Sequence, residues 1–286
     1  MLTTTILGAA ASGDSVHESS TSHRLPMEAQ HLFEVLGLPI TNSIIMTWII
    51  LIGLVIFVKL TTKQITMVPS GAQNFIEACV EGLEQFLGTF LEKKVVQWSF
   101  PVLATFFVFI LISNLFGLVP GVGSIGFGDG PAEGFFRSVH HVEKALFRPP
   151  TADANMTIAM GIIFFVMNMY WAIKYNGFIG LIKHVFGVKG TPPKFLYPIM
   201  FLIFIGVGAI EIVSIGIRPI ALAARLYGNI YGGESVLTIM LTMVPGGFAA
   251  IPFYFLELVV AIVQAAVFLI LCIAFTATLC SHSEEH

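Results

Sequence analysis

Residues 195–280 carry Glu211, Ser214, Arg218, Arg225, Asn229, Glu234, Glu257 and Gln264 within long apolar stretches. Ionisable groups in such surroundings are costly to bury, and they mark paths for protons or ions. Their spacing is regular. Glu211, Arg218 and Arg225 recur every seven residues, close to two helical turns, so a helix lines them up as one stripe. Asn229, four residues beyond Arg225, extends that stripe, and Glu257 and Gln264, again seven apart, share one face of the next segment. Glu234 lies nine residues beyond Arg225, which a regular helix turns about half-way round unless Gly232-Gly233 loosens it. Helix-gluing ion pairs explain Arg218 with Glu211 as well as any function does. Ser214 and Asn229 could equally bond backbone carbonyls. Packing alone does not account for so many polar groups in one segment pair.

The composition says what surrounds them. Of 286 residues, 56% are hydrophobic and 11% charged, against about 25% charged in soluble domains. Such a chain cannot cover a water-exposed surface, so lipid is the solvent for most of it. A net charge of −3 gives no basic field for nucleic acid. Cys79, Cys272 and Cys280 are scattered in apolar or amphipathic stretches and read as small buried hydrophobes, not a disulfide framework or metal site. His140-His141 sits in a polar loop without a third ligand, so no metal is expected there. No phosphate-binding loop or HExxH motif is present, and no cofactor is expected. Ile6–Ala11 is apolar but lacks a basic flank, so it does not read as a cleaved signal peptide.

The apolar runs predict an all-α integral membrane protein with about five membrane-crossing helices and one amphipathic surface helix. Residues 1–37 form an N-terminal tail with a short outer helix, and residues 38–286 form a single membrane domain. Spans are expected at 38–58, 98–119 and 156–173, each near the roughly 20 residues that cross a bilayer. Residues 70–94 place apolar groups on one helical face and Glu77, Glu81 and Glu84 on the other, which predicts a surface helix partly covered by a protein neighbour. The Gly-rich segment 121–153 reads as a solvated loop. Residues 195–244 would make a helix about 75 Å long, more than twice the hydrocarbon thickness. It must tilt steeply, lie nearly in the membrane plane or break, with Pro219 as the kink site. With 248–280 it forms a long tilted hairpin joined by Pro245-Gly246-Gly247.

Specific motifs resemble a known family. Arg225-Leu226-Tyr227-Gly228-Asn229-Ile230-Tyr231-Gly232-Gly233-Glu234 resembles the signature of subunit a of the F-type (rotary) ATP synthase, bacterial type. Glu211 to Ser214, Arg218-Pro219, Leu256-Glu257 and Gln264-Ala265 match the same pattern. Ile112–Pro120 resembles the family's second span, and Pro150–Thr157 the approach to its third.

The resemblance implies a stator subunit, not catalytic alone, that packs its hairpin against a ring of c-subunits within the ATP synthase and works with peripheral-stalk b subunits. Two offset aqueous half-channels would lead protons to and from the ring carboxylates. Arg225, always charged, would meet the ionised ring carboxylate and block direct passage between the half-channels. Glu234 and Glu257 would be outer relays. Glu211 would serve the cytoplasmic side with Ser214, beside Arg218. Asn229 and Gln264 would hold Arg225 in place. Two features depart from the family's pattern. Many members carry a histidine at one outer relay position, whereas this chain has two glutamates, which do not both ionise cheaply side by side. Some bacterial members have an acid where Gly117 stands, which leaves Asn114 as that span's polar group, with Asp129 or Asp153 as acids near the channel mouth.

A transporter or channel without a rotor is the competing reading, but it predicts inverted repeats that are not evident here. An intramembrane enzyme would need a nucleophile–base pair or metal motif. A purely structural subunit would leave Arg225 replaceable.

Eight lysines (59, 63, 93, 94, 174, 183, 189, 194) fall on one side of alternating spans, and Arg24, Arg137, Lys144 and Arg148 on the other. The bias puts the lysine side and the C-terminus in the cytoplasm, with the N-terminus outside, and the resemblance implies a bacterial cell (inner) membrane. A reporter enzyme fused after His286 is expected to be active only on the cytoplasmic face; activity only outside would reverse the topology.

Overall fold

The computed structural model describes residues 31–35, 38–63, 66, 71–119, 126–127, 144–145, 148–186, 197–243 and 248–280. The helices are α1 (Asn42–Thr61), α2 (Ala72–Phe90), α3 (Lys93–Gly117), α4 (Ala154–Phe186), α5 (Tyr197–Met243) and α6 (Ala250–Cys280). All except α2 are long and apolar enough to cross a membrane. The chain is therefore a multi-pass membrane protein of the all-α class. Two short antiparallel hairpins accompany the helices: β1 (His31–Val35) with β2 (Leu38–Thr41), and β3 (Gly126–Phe127) with β4 (Lys144–Ala145).

Several boundaries differ from the sequence reading for identifiable reasons. Span 38–58 begins at Asn42 instead, because Leu38–Thr41 pairs with β1 and contains Pro39. Residues 31–35 are a strand, so a short outer helix in the first 37 residues could only fall outside the described part. The surface helix stops at Phe90. Lys93 and Lys94 already belong to α3, which starts from an extended Glu92. The third span runs past Lys174, because a lysine stem can follow the helix while its ammonium reaches the interface. The break comes at Gly177, whose φ of 72° suits a residue without Cβ. Pro219 does not break α5, which stays one helix of 47 residues and about 70 Å. A helix of that length fits a bilayer only obliquely. The turn at 245–247 and the histidines at 140–141 lie outside the described residues.

The core lies between α3, α4, α5 and α6. Leu103, Ile110, Phe164, Trp171, Leu222, Leu226, Phe268 and Ile273 are buried there. Elsewhere, Trp48, Ile52 and Leu60 of α1, Ile210 and Ile220 of α5, and Phe255 and Val259 of α6 are exposed. Water would not tolerate such a surface, whereas hydrocarbon does. The reading of all three cysteines as buried holds for Cys272 and Cys280 only; Cys79 is exposed on α2, and all three are free thiols.

Helices α4 and α5 approach closely at Gly161. A Cβ there would lie 2.8 Å from the Pro219 carbonyl oxygen and 3.4 Å from the Ala223 Cβ. Small residues permit such contact between membrane helices, where packing supplies the attraction. Gly161→Ala is expected to destabilise the fold by about 1–3 kcal/mol, since backbone must shift to admit the methyl. Gly53→Ala is the control, because nothing lies within 4 Å of an added Cβ there. Denaturation midpoints of the purified chain in detergent check both; equal midpoints would mean that the contact at Gly161 carries no packing constraint.

Candidate functional site

Helix α5 turns its polar residues in different directions, and each meets a different environment. Arg218 donates from Nη2 to Glu211 Oε1 at 3.1 Å, two turns back on the same helix. Its guanidinium also lies 5.3 Å from the Phe275 ring centroid of α6. This is the ion pair that the seven-residue spacing allowed. Ser214, on the same stripe, is half-buried.

Arg225 is exposed on α5 and makes no hydrogen bond or ion pair among the described residues. Ala221, Ala224, Gly228 and Gly232 around it are also exposed, and nothing lies within 4 Å of a Cβ added at Gly228 or Gly232. The charge therefore stands on a smooth outward face. Asn229 and Gln264 were expected to hold Arg225. They bond each other instead, Asn229 Nδ2 donating to Gln264 Oε1 at 2.7 Å, which joins α5 to α6.

Glu234 faces away from Arg225, as nine residues of unbroken helix require. Residues 232–233 are helical, so the two glycines do not change the angle. The Glu234 carboxylate meets Arg148 Nε at 3.7 Å, with side chains 26% and 5% exposed respectively. The Arg148 guanidinium also stands 5.9 Å from the centre of the Tyr231 ring. Glu257 on α6 is buried, and its carboxylate lies against the backbone of Gly233, where any side chain would overlap it. Glu257 thus reaches α5 at Gly233, the residue next to Glu234, and the charge that meets Glu234 is a guanidinium.

Segment 148–153 corrects the reading of 121–153 as a solvated loop. Arg148, Thr151, Ala152 and Asp153 are all buried. Pro150–Ala152 is a 3-10 turn. Thr151 Oγ1 donates to Asn114 Oδ1 at 2.7 Å, and Asn114 Nδ2 donates to the Ala261 carbonyl of α6 at 3.3 Å. Asp153 accepts from the Ser43 hydroxyl of α1 and from the Asn155 backbone N–H at the start of α4. Pro149 fills the space in which a side chain at Gly117 would stand. An acid at position 117 is therefore excluded by packing. Asp129 lies outside the described residues. Sequence reasoning missed Arg148 and Ser43 as members of this cluster. The available signal was the run Arg148-Pro149-Pro150-Thr151, a stiff segment leading straight into an apolar helix. Among the described residues no group of three or more His, Cys, Asp and Glu could hold a metal.

The absent side chain at Gly233 is what lets Glu257 approach α5. Gly233→Ala is expected to leave the helix intact and push the flexible carboxylate out of its slot. Labelling of Glu257 by a hydrophobic carbodiimide, read by peptide mass spectrometry, should then rise. Unchanged labelling would show that the slot does not hold the carboxylate.

Comparison with known proteins gives the family. The profile of the family described as ATP synthase A chain matches residues 44–277. ATP synthase subunit a of Desulfosudis oleivorans is 34% identical over 257 residues, covering 88% of this chain and 96% of its own. Subunit a of Citrifermentans bemidjiense is 34% identical over 85% of this chain and 89% of its own. Subunit a of Trichlorobacter lovleyi is 31% identical over 88% and 92%. With the profile spanning all five crossing helices and relatives of this length and identity, the chain belongs to the ATP synthase subunit a family.

Proposed function

We propose that this chain is the proton-conducting stator subunit of an F-type ATP synthase and is not catalytic by itself. The observation that carries the reading is Arg225, a permanent charge on an outward apolar face with no ion-pair partner among the described residues. An unpaired charge at membrane depth is costly, so its counter-charge must come from outside the described residues. The small residues beside it let another helix pass closely. A ring of c-subunits bearing one membrane carboxylate each supplies both needs.

A ring carboxylate facing lipid must carry a proton, because a bare carboxylate in hydrocarbon is too costly. Opposite Arg225 the ionised form is favoured, so the proton leaves there. Two half-channels serve the exchange. Glu234 and Glu257 relay protons in the outer one, where Asn114 ties α3 to α6 and to the 148–153 turn. Glu211, paired with Arg218 and near Ser214, serves the cytoplasmic one. The Asn229–Gln264 bond holds α5 and α6 together beside Arg225. The acidic face of α2 suits a protein neighbour such as the peripheral-stalk b subunits. The membrane is the bacterial inner membrane, with the C-terminus cytoplasmic.

The test is ATP-driven proton pumping by the assembled complex in inverted membrane vesicles. Arg225→Ala is expected to abolish pumping, and Glu234→Gln and Glu257→Gln to slow it. Normal pumping by an assembled Arg225→Ala complex would overturn the reading. If both glutamine variants pump at the wild-type rate, the outer relay lies elsewhere.

A further inference from the structure

Arg148 is a buried cation that the proton path as proposed does not use. Its side chain is 5% exposed and meets the carboxylate of Glu234 at 3.7 Å. The Tyr231 ring, one turn before Glu234 on α5, stands 5.9 Å from the guanidinium carbon. The chain that follows Arg148 is fixed at several points. Pro149 occupies the space over Gly117 of α3. Thr151 is bonded to Asn114 of α3, and Asp153 to Ser43 of α1 and to the start of α4. Arg148 thus projects from a rigid turn, while Glu234 sits on a continuous helix. A guanidinium cannot lose its proton here. Carrying no exchangeable charge state, it is unsuited to be a relay, but it is well suited to hold one.

We propose that Arg148 is a positioning residue for proton transfer at Glu234. Clamped between the Tyr231 ring and the buried turn, its cation fixes where the Glu234 carboxylate points. A carboxylate that passes protons must keep its oxygens within reach of donor and acceptor, and a misplacement of about 1 Å can slow such a step by roughly a hundredfold. The proposal rests on the reading of Glu234 as a relay.

The experiment is a double-mutant cycle on the assembled complex in inverted vesicles, scored by the initial rate of ATP-driven proton pumping per complex. Arg148→Gln is expected to slow pumping by roughly tenfold or more. Arg148→Lys, which keeps the charge without the planar fork, should recover part of that loss. In the Glu234→Gln background, Arg148→Gln should slow pumping no further. Wild-type pumping by Arg148→Gln overturns the proposal. So does an Arg148→Lys complex no faster than Arg148→Gln, or a double variant that loses the full Arg148→Gln factor beyond Glu234→Gln. Should Arg148→Gln not assemble, Tyr231→Leu removes the ring beside the guanidinium and leaves both charges. It is expected to slow pumping in the wild-type background and not in the Glu234→Gln background, and equal slowing in both overturns the proposal. Wild-type pumping by Glu234→Gln would instead overturn the relay reading itself, whereas a slow Glu234→Gln beside a fast Arg148→Gln overturns only the role of Arg148.

Discussion

A charge moved from water into hydrocarbon is kept only where an opposite charge, a hydrogen bond or a route back to water compensates it. The polar half of this molecule is arranged around that constraint. Arg218 meets it within its own helix through Glu211 and rests against Phe275. Arg148 meets it across elements, through Glu234 and the Tyr231 ring. Arg225 does not meet it within the described chain. These arginines share a side chain and differ in what surrounds them: Glu211 and Phe275 for Arg218, Glu234 and Tyr231 for Arg148, and an open face for Arg225.

Close approach of backbone is the second condition, and glycine sets it at the places that matter for the site. Gly161 brings α4 onto the α5 carbonyl of Pro219, Gly117 admits the Pro149 ring, and Gly233 admits the Glu257 carboxylate. The first contact fixes the angle of α5 against the bundle. The second seats the turn from which Arg148 projects. The third brings a glutamate of α6 against the α5 backbone, one residue before Glu234. Packing and chemistry are joined at these points, because membrane helices associate through fit and not through expulsion of water.

The continuity of α5 gives the site its rigidity. A helix that neither Pro219 nor Gly232-Gly233 interrupts holds Arg225 and Glu234 at a fixed angle and a fixed separation along its axis. The two residues therefore stand on opposite faces of one rod. The Asn229–Gln264 bond ties this rod to α6 near Arg225, so the outward face is backed by a second helix.

Lipid as solvent, the crossing helices, the over-long hairpin and the stripe of Glu211, Arg218 and Arg225 were all determined by the sequence itself. Hydropathy and helical periodicity are local properties that neighbouring residues encode directly. The helix ends were less legible: Pro39 and the β1 pairing delay α1, and Gly177, not Lys174, marks the break in α4. Only the tertiary structure decided that segment 148–153 is buried, that Asn229 bonds Gln264 rather than Arg225, and that Arg148 stands at Glu234. A polar residue in a Gly-rich segment looks solvated until another element covers it. Its partner is separated from it by a whole membrane crossing and most of α5, so no local pattern in the chain records their meeting. Arg225 is the complement of that case: its position and charge were plain in the sequence, and its exposure on an open face, set by how α4 and α6 pack against the rest of α5, was not.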